Sequence, residues 1–286
     1  MYEYAYWIYR ILREEILDIP GRVIATAFLV VLFLIPLWST NSYVLRIFTL
    51  AAIFSIFAVS WDLLSGVTGQ VNFGQGAFFG VAGYASGLLN LHLALPPFLS
   101  IPIGSLVGVL LGLLVAVPAL RLRGFYLALV TLAFPVILTG IVFLLPDLTG
   151  GELGIYGLDR ISASKIGDYY IVHVIMLASI YVMYKISDVD SNMVRSGVIL
   201  HAIREDEITA RASGINTTYY KLMVFAVSGF FAGIAGGLYS HYLRAVGPST
   251  LELFFSLQAI LWTIFGGLSV IYGAVVGVYL LYPLIE

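Results

Sequence analysis

About nine apolar runs, most of them long enough to cross a bilayer, set the limits on how this chain can fold. A transmembrane helix needs about 20 consecutive apolar residues, and a helix is favoured in lipid because it pairs its own backbone groups. The sequence therefore predicts an all-α, polytopic transmembrane helical bundle of about eight to ten spans. The runs cover residues 23–38, 44–64, 73–94, 98–118, 124–145, 169–186, 222–243, 253–270 and 272–285.

Composition excludes most other classes of protein. Hydrophobic residues make up 60% of the chain and charged residues 10%, whereas soluble domains carry roughly 25% charged residues. The formal net charge of −2 gives no sign of a nucleic-acid partner. The sequence has no Cys, which excludes disulfides and thiol chemistry.

Basic residues predict how the chain is oriented in the membrane. With the N-terminus inside, ten Lys and Arg residues face the cytoplasm and four face outward, as the positive-inside rule favours. Residues 1–22 are then a cytoplasmic amphipathic leader, for which a solvated leader is the alternative. Residues 23–286 form a single transmembrane domain, in which 187–220 is a cytoplasmic loop and 146–168 the main external loop. Nine spans would leave the C-terminus outside, so either a final helix is missing or one run does not cross fully.

Glycines and amides interrupt the hydrophobic sequence between Gly66 and Gly87. Irregular backbone at membrane depth survives only where it is buried in protein or lines a cavity. The segment therefore predicts a helix break beside a translocation path, and a turn with tight helix packing is the alternative. The candidate path residues are Thr68, Gly69, Gln70, Asn72, Gly74, Gln75 and Gly76. The later glycines, at 229–237 and 266–277, favour close helix packing.

Catalytic and metal-binding motifs are missing from the sequence. It contains no H-E-x-x-H motif, no Walker A motif and no recognisable Ser/His/Asp arrangement. We expect neither an enzyme nor a metal site. Acidic residues with basic partners are also missing from the middle of the runs, which disfavours a proton- or sodium-driven carrier.

Charge is concentrated in one loop, since ten charged residues lie between Lys185 and Lys221. Within it, Ser196 to Ser213 favours one helix with an apolar stripe, and Gly214 is placed to end that helix. Such a helix could fit a groove on a soluble partner or could be a solvated connection. The residues of the stripe are Ile199, Ala202, Ile203, Ile208 and Ala212.

Several segments resemble the LivM-type permease subunit of branched-chain amino acid ABC importers. The most specific match is AIREDEITARASGINTTYYKL, which starts at Ala202, because chance similarity between apolar helices would not reproduce its polar residues. The matching segments are residues 62–89, 121–134, 148–155, 202–242 and 266–277.

This resemblance implies a set of partners. They are two ABC ATPase subunits, a second permease subunit of the LivH type and an external substrate-binding protein, all at the cell membrane of a prokaryote. The helix at 199–213 would be the coupling helix that docks into an ATPase. ATP would be used by those partners, and this chain would bind no cofactor itself. The implied coupling residues are Ala202, Arg204, Glu205, Asp206, Glu207, Arg211 and Gly214.

The chain departs from the family pattern in two places, and the first of them bears on the expected substrate. Phe73-Gly74-Gln75 stands where relatives often carry Leu-Gly-His, and Ser269 stands where they often carry Gly. The resemblance implies import of Leu, Ile and Val. The alternatives are an ABC permease for urea or short amides and a stand-alone carrier or channel for small polar solutes.

Overall fold

The computed structural model describes residues 20–39, 41–119, 122, 125–189 and 196–286. The chain divides into two compact units, Met1–Arg46 and Ile47–Glu286. The first unit contains helix α1, Pro20–Trp38, and the start of helix α2, Ser42–Trp61. Most of the predicted leader lies outside the described residues.

The second unit is a bundle of helices, as the apolar runs predict. Helix α2 leads into a π turn, Asp62–Gly66, and the helices after it are joined mainly by short connections. They are α3 Gln75–Leu93, α4 Pro97–Ala119, α5 Phe125–Leu144, α6 Pro146–Thr149, α7 Lys165–Ser187, α8 Ser196–Glu205, α9 Glu207–Ala212, α10 Thr217–Leu243, α11 Leu253–Gly266 and α12 Ile271–Ile285. A 3₁₀ turn, Pro248–Leu251, precedes α11.

Glycines let the helices of the core approach one another closely, which confirms the predicted role of the later glycine series. Helices α3, α4 and α10 pack mutually. A Cβ added at Gly236 of α10 would lie 1.9 Å from the Phe79 carbonyl oxygen of α3. In the same way, a Cβ at Gly277 of α12 would lie 2.0 Å from the Trp262 carbonyl oxygen of α11. Small residues at helix crossings are typical of membrane bundles.

In the part of the chain that the structure describes, fewer helices qualify as spans by length and composition than the eight to ten that the sequence predicts. Among the described residues, five helices are long and apolar enough to cross a membrane, or up to six if one bent pair is a single span. That pair is α11 and α12, which meet at an angle of 109°. The last two apolar runs are therefore a broken span or a re-entrant pair. The qualifying helices are Ser42–Gly66, Pro97–Ala119, Tyr126–Leu144, Lys165–Ser187 and Thr217–Leu243.

A small strand pair ties the long 146–168 loop to the chain after α10. Strand β1, Ile155–Tyr156, pairs antiparallel with β2, Ala245–Val246. Apolar side chains beneath it form a cluster, and Leu158 in that cluster is fully buried. The loop therefore packs against helices α3 and α5.

Candidate functional site

The glycine-rich segment begins with an irregularity in helix α2. At the π turn the Val67 amide donates to the carbonyl oxygen of Asp62, five residues earlier in the chain. In an α-helix the acceptor would be four residues earlier. Single π turns inside α-helices occur frequently at functional sites. The helical conformation ends at Thr68, and residues 69–74 are irregular before α3 begins at Gln75. The predicted helix break is therefore present.

Protein groups satisfy most of the polar atoms in this break. The Trp61 indole donates to the Asn72 carbonyl oxygen at 2.6 Å, and the Ser65 hydroxyl donates to the Gln70 carbonyl oxygen at 2.9 Å. The side-chain Nδ2 of Asn72 donates to Gln75 Oε1 at 2.7 Å. The side-chain Oδ1 of Asn72 accepts from the backbone amide of Gly74 at 2.9 Å. The irregular backbone is thus held by its own side chains.

Gln75 joins the break to two helices. Its Nε2 donates to Ser60 Oγ of α2 at 2.9 Å and to Ser228 Oγ of α10 at 3.0 Å. The Ser228 hydroxyl donates in turn to the Ser60 carbonyl oxygen at 2.6 Å. Gln75 is fully buried, so this network holds the N-terminus of α3 inside the bundle.

Two backbone amides of the break donate to other helices. The Phe73 amide donates to Thr131 Oγ1 of α5 at 3.1 Å, and the Gly76 amide donates to Ser256 Oγ of α11 at 2.8 Å. The first amides of a helix have no partner within it, so the Ser256 hydroxyl supplies for Gly76 what helix α3 cannot. Helices α2, α5, α10 and α11 all hold the same short segment.

The amides that suggested a translocation path are therefore mostly paired with protein. Thr68, Asn72 and Gln75 are buried, and Gln70 Nε2 donates to the Thr68 hydroxyl at 2.9 Å. Gln70 Oε1 is buried and has no hydrogen-bond partner among the described residues. Gly69 is exposed, with a left-handed φ of 70°. Whether the seven residues line a path stays a prediction.

Steric limits at the break are severe. A Cβ at Gly74 would lie 2.4 Å from the Thr131 carbonyl oxygen, and a Cβ at Gly76 would lie 3.0 Å from Ser256 Oγ. The contact at Gly74 is to backbone, so a rotamer change cannot relieve it, whereas the contact at Gly76 is to a side chain and is tight rather than impossible. Both glycines permit the close packing that the alternative interpretation of the sequence requires.

The charged loop contains two helices where the sequence predicted one. The prediction of a continuous helix over 199–213 is wrong, because α8 ends at Glu205 and α9 begins at Glu207. Asp206 has an extended backbone between them, and its Oδ1 accepts from the amides of Ile208 and Thr209 at 2.8 and 3.3 Å. A capping Asp satisfies the first amides of a helix, so it starts α9 and interrupts the run.

Asp206 is ionised at neutral pH. The Thr209 hydroxyl donates to its Oδ2 at 2.6 Å. This hydrogen bond, together with those from the Thr209 and Ile208 amides, lowers the pKa of the Asp206 carboxyl. The negative charge also lies at the N-terminus of α9, where the helix dipole favours it.

Glu207 fastens the second loop helix to α10. Its carboxylate accepts from Lys221 Nζ at 2.6 Å and from Arg211 Nη2 at 3.0 Å. The Thr217 hydroxyl donates to the same carboxylate at 3.3 Å. Gly214 lies beyond the end of α9 with φ of 86°, which confirms its predicted role as the stop of the helix.

The surface that the loop exposes differs from the predicted one. Leu200, Ile203 and Ala210 form the buried face, whereas Ile208 of the predicted stripe is 66% exposed. Ala202 is half-buried. Glu205 takes part neither in the helix cap made by Asp206 nor in the ion pairs of Glu207. The exposed residues of the predicted coupling set are Arg204, Glu205, Asp206, Arg211 and Gly214.

Sequence reasoning missed a junction between the loop and the bend of α11 and α12. Arg204 Nη1 donates to the hydroxyl of Ser269, which lies in the bend. The Ser269 hydroxyl donates to the Gly66 carbonyl oxygen at 2.8 Å, and the Ser269 amide donates to Asp62 Oδ1 at 2.8 Å. The described residues hold no cluster of three or more His, Cys, Asp or Glu suited to a metal ion.

A family comparison covers both regions. Residues 43–284 match the family described as branched-chain amino acid transport system / permease component. The match spans the glycine-rich break, the charged loop and the bend, and the chain belongs to this family. The family is defined as a transport component rather than as an enzyme, and the apolar helices agree with a multi-pass protein of the cell membrane.

Individual relatives support the same class. The chain is 27% identical to the high-affinity branched-chain amino acid transport system permease protein LivM of Salmonella typhimurium, over 82% of this chain and 60% of that one. LivM of Escherichia coli gives the same identity and coverage. The chain therefore spans about three fifths of the length of these curated relatives. The resemblance to LivM inferred from the sequence is confirmed.

A solved structure shares the fold. It is an inward-facing conformation of a transporter assigned to the metal-chelate type of ABC transporters, with a TM-score of 0.50. The match covers 91% of this chain and 96% of the other at 16% identity. The helical transmembrane fold predicted from the sequence is thus confirmed, and the cytoplasmic placement of the N-terminus stays a prediction.

Proposed function

We propose that this chain is the permease subunit of an ATP-driven importer for branched-chain amino acids. The family match over residues 43–284 carries the proposal, because it includes the polar break and the charged loop as well as the apolar helices. The printed names of the LivM relatives supply the substrate class.

The charged loop is the proposed docking surface for an ATPase. The ion pairs of Glu207 anchor its second helix to α10, and the neighbouring Glu205 and Ile208 face solvent. An exposed apolar residue beside charges is suited to a protein contact, because its burial on docking is favourable by about 25 cal/mol per Å². ATP is bound and hydrolysed by the partners, and this chain binds no cofactor.

The remaining partners follow the expected assembly. They are a second ATPase, a LivH-type permease subunit and an external substrate-binding protein, with the N-terminus and the charged loop on the cytoplasmic side.

Gln70, whose buried Oε1 is unpartnered among the described residues, is the strongest candidate of the predicted path residues, because an unpaired buried oxygen is costly unless a ligand or water binds it.

The test is uptake by the complete complex reconstituted in proteoliposomes. We expect uptake of labelled leucine only with the binding protein and ATP present, and competition by unlabelled isoleucine and valine. A non-hydrolysable ATP analogue and the permease pair without ATPases are the controls. Competition by urea or acetamide but not by isoleucine would assign the other substrate class. Uptake that needs no ATPase would identify a stand-alone carrier.

A further inference from the structure

Three irregular parts of the fold meet at one point beside the charged loop. They are the π turn Asp62–Gly66, the irregular chain that follows it, and the bend between α11 and α12. Residues more than 200 positions apart are joined here by hydrogen bonds, since Ser269 contacts both Asp62 and Gly66. Irregular backbone is where helices can change direction, so a contact at this point reaches two helix breaks at once.

Ser269 occupies this point in a strained conformation. Its φ is 64°, in the left-handed region that residues other than Gly, Asn and Asp rarely adopt. Its amide and hydroxyl together make the three hydrogen bonds of the junction. Strained backbone persists only where its surroundings fix it, and such positions concentrate at switch regions.

Gly66 and Gly69 leave room for the junction. A Cβ at Gly66 would lie 2.0 Å from Asp62 Oδ1 and 2.9 Å from the Ser269 amide nitrogen, so only glycine fits. A Cβ at Gly69 would lie 3.4 Å from Arg204 Cγ, which shows that the stem of Arg204 lies against the break. Asp62 is fully buried, and its Oδ2 has no partner among the described residues.

Arg204 is the part of the charged loop that reaches this point. It lies in the last turn of α8, next to the exposed Glu205. Its guanidinium donates to Ser269 across 65 positions of sequence, and its stem contacts the break. A displacement of α8 therefore acts on both helix breaks through one side chain.

We propose that Arg204 and Ser269 are positioning residues that link the charged loop to the bend between α11 and α12. This inference rests on the proposed function, because the force on the loop would come from a docked ATPase. Movement of α8 pulls on the Ser269 hydroxyl, and Ser269 carries the movement to the Asp62 carboxylate and to the bend. The link converts docking at the loop into a change of angle between α11 and α12.

The experiment measures leucine transported per ATP hydrolysed by the reconstituted complex. Arg204→Ala and Ser269→Ala should each lower this ratio about fivefold or more, the range of an ordinary coupling free energy. The double variant should be no worse than either single one, since both remove the same contact. Arg204→Lys, which keeps a cationic donor, should retain part of the ratio. A merely structural role would lower transport and hydrolysis together.

Arg211→Ala is the matched control. Arg211 is an exposed arginine of the same loop, and its ion pair is made within the loop, to Glu207. Combined with Ser269→Ala, its effect on the ratio should be multiplicative. An unchanged ratio in Arg204→Ala, or multiplicative effects of Arg204→Ala and Ser269→Ala, would overturn the link.

Hydrogen exchange separates this link from the proposed function. If the unaltered complex imports no leucine, the proposed function fails, whereas exchange at residues 267–273 still reports on the link. In the purified complex, Arg204→Ala should speed exchange there and Arg211→Ala should not. Equal exchange in both variants would refute the link whatever the substrate is.

Discussion

The glycine-rich break and the charged loop are both irregular and polar, yet they differ in what they leave exposed to solvent. In the break, Asn72 and Gln75 are buried and paired with protein. In the loop, Asp206 and Glu207 stabilise local structure, while Glu205 and Ile208 face solvent. The comparison teaches that polarity inside an apolar sequence does not by itself mark a path, because the break uses most of its polar atoms to hold itself.

The largest effect is expected from a bulky residue at Gly74, which tests whether the break serves helix packing or lines a path. Gly74→Trp should sharply lower the yield of folded complex, because even a Cβ would lie 2.4 Å from the Thr131 carbonyl oxygen. Overpacking costs about 1–3 kcal/mol and occasionally more. Gly140→Ala is the control, since a Cβ there has no neighbour within 4 Å. Normal yield with blocked uptake in Gly74→Trp would instead place the break on the path.

A smaller effect is expected from the buried amide network. Gln75→Leu removes the donor to Ser60 and Ser228 and the acceptor for Asn72. The side-chain amide of Asn72 then loses its partner, whereas the Ser60 and Ser228 hydroxyls still donate to backbone carbonyl oxygens. Each unsatisfied buried group costs about 1–3 kcal/mol, so the melting temperature of the purified complex should fall. An unchanged melting temperature would show that water or substrate, rather than Gln75, satisfies these groups.

Substitutions of the two neighbouring glutamates of the loop should have different effects, one on stability and the other on ATPase binding. Glu207→Gln weakens the pairs with Lys221 and Arg211 and should lower stability by less than about 1 kcal/mol, because the pairs are near the surface. Glu205→Gln should leave the melting temperature unchanged and weaken retention of the ATPase during affinity purification. The reverse pattern would remove Glu205 from the docking surface.

The smallest effect concerns the start of α9. Asp206→Ala removes the acceptor for the Ile208 and Thr209 amides, so hydrogen exchange over 207–212 should rise. Asp206→Asn keeps one oxygen that can cap, so exchange should rise less than in Asp206→Ala. Below the lowered pKa of Asp206, protonation should weaken the cap in the unaltered chain as well.

Sequence patterns predicted the parts of this molecule that depend on local chemistry. Apolar runs predicted the helices, and Gly214 predicted the end of α9, because each reflects only nearby residues. The break at Asp206 was also local, since Asp is a strong N-cap residue, but a run of charges in helix-forming sequence concealed it. The predicted stripe put Ile203 and Ile208 on one face because it assumed one continuous helix, whereas Ile203 is buried and Ile208 is exposed.

Long-range contacts could not be predicted in the same way. Ser228 and Ser256 meet the break across 153 and 180 positions, and Ser269 meets Asp62 across 207. A single serine in an apolar run gives no sign of which helix it will bond, because the packing of the bundle decides that. The 109° angle between α11 and α12 was likewise not predicted, because the sequence marked only a break between two apolar runs there.

Cross-linking at Ile208 tests the central claim most directly, that the charged loop docks an ATPase. The chain has no Cys, so Ile208→Cys introduces a single reactive site, and Leu153→Cys does the same in the 146–168 loop. Both native side chains are exposed, at 66% and 76%. In the assembled complex, we expect a short bifunctional reagent to join position 208 to an ATPase subunit and position 153 to none. An ATPase adduct at position 153, with none at position 208, would contradict the account.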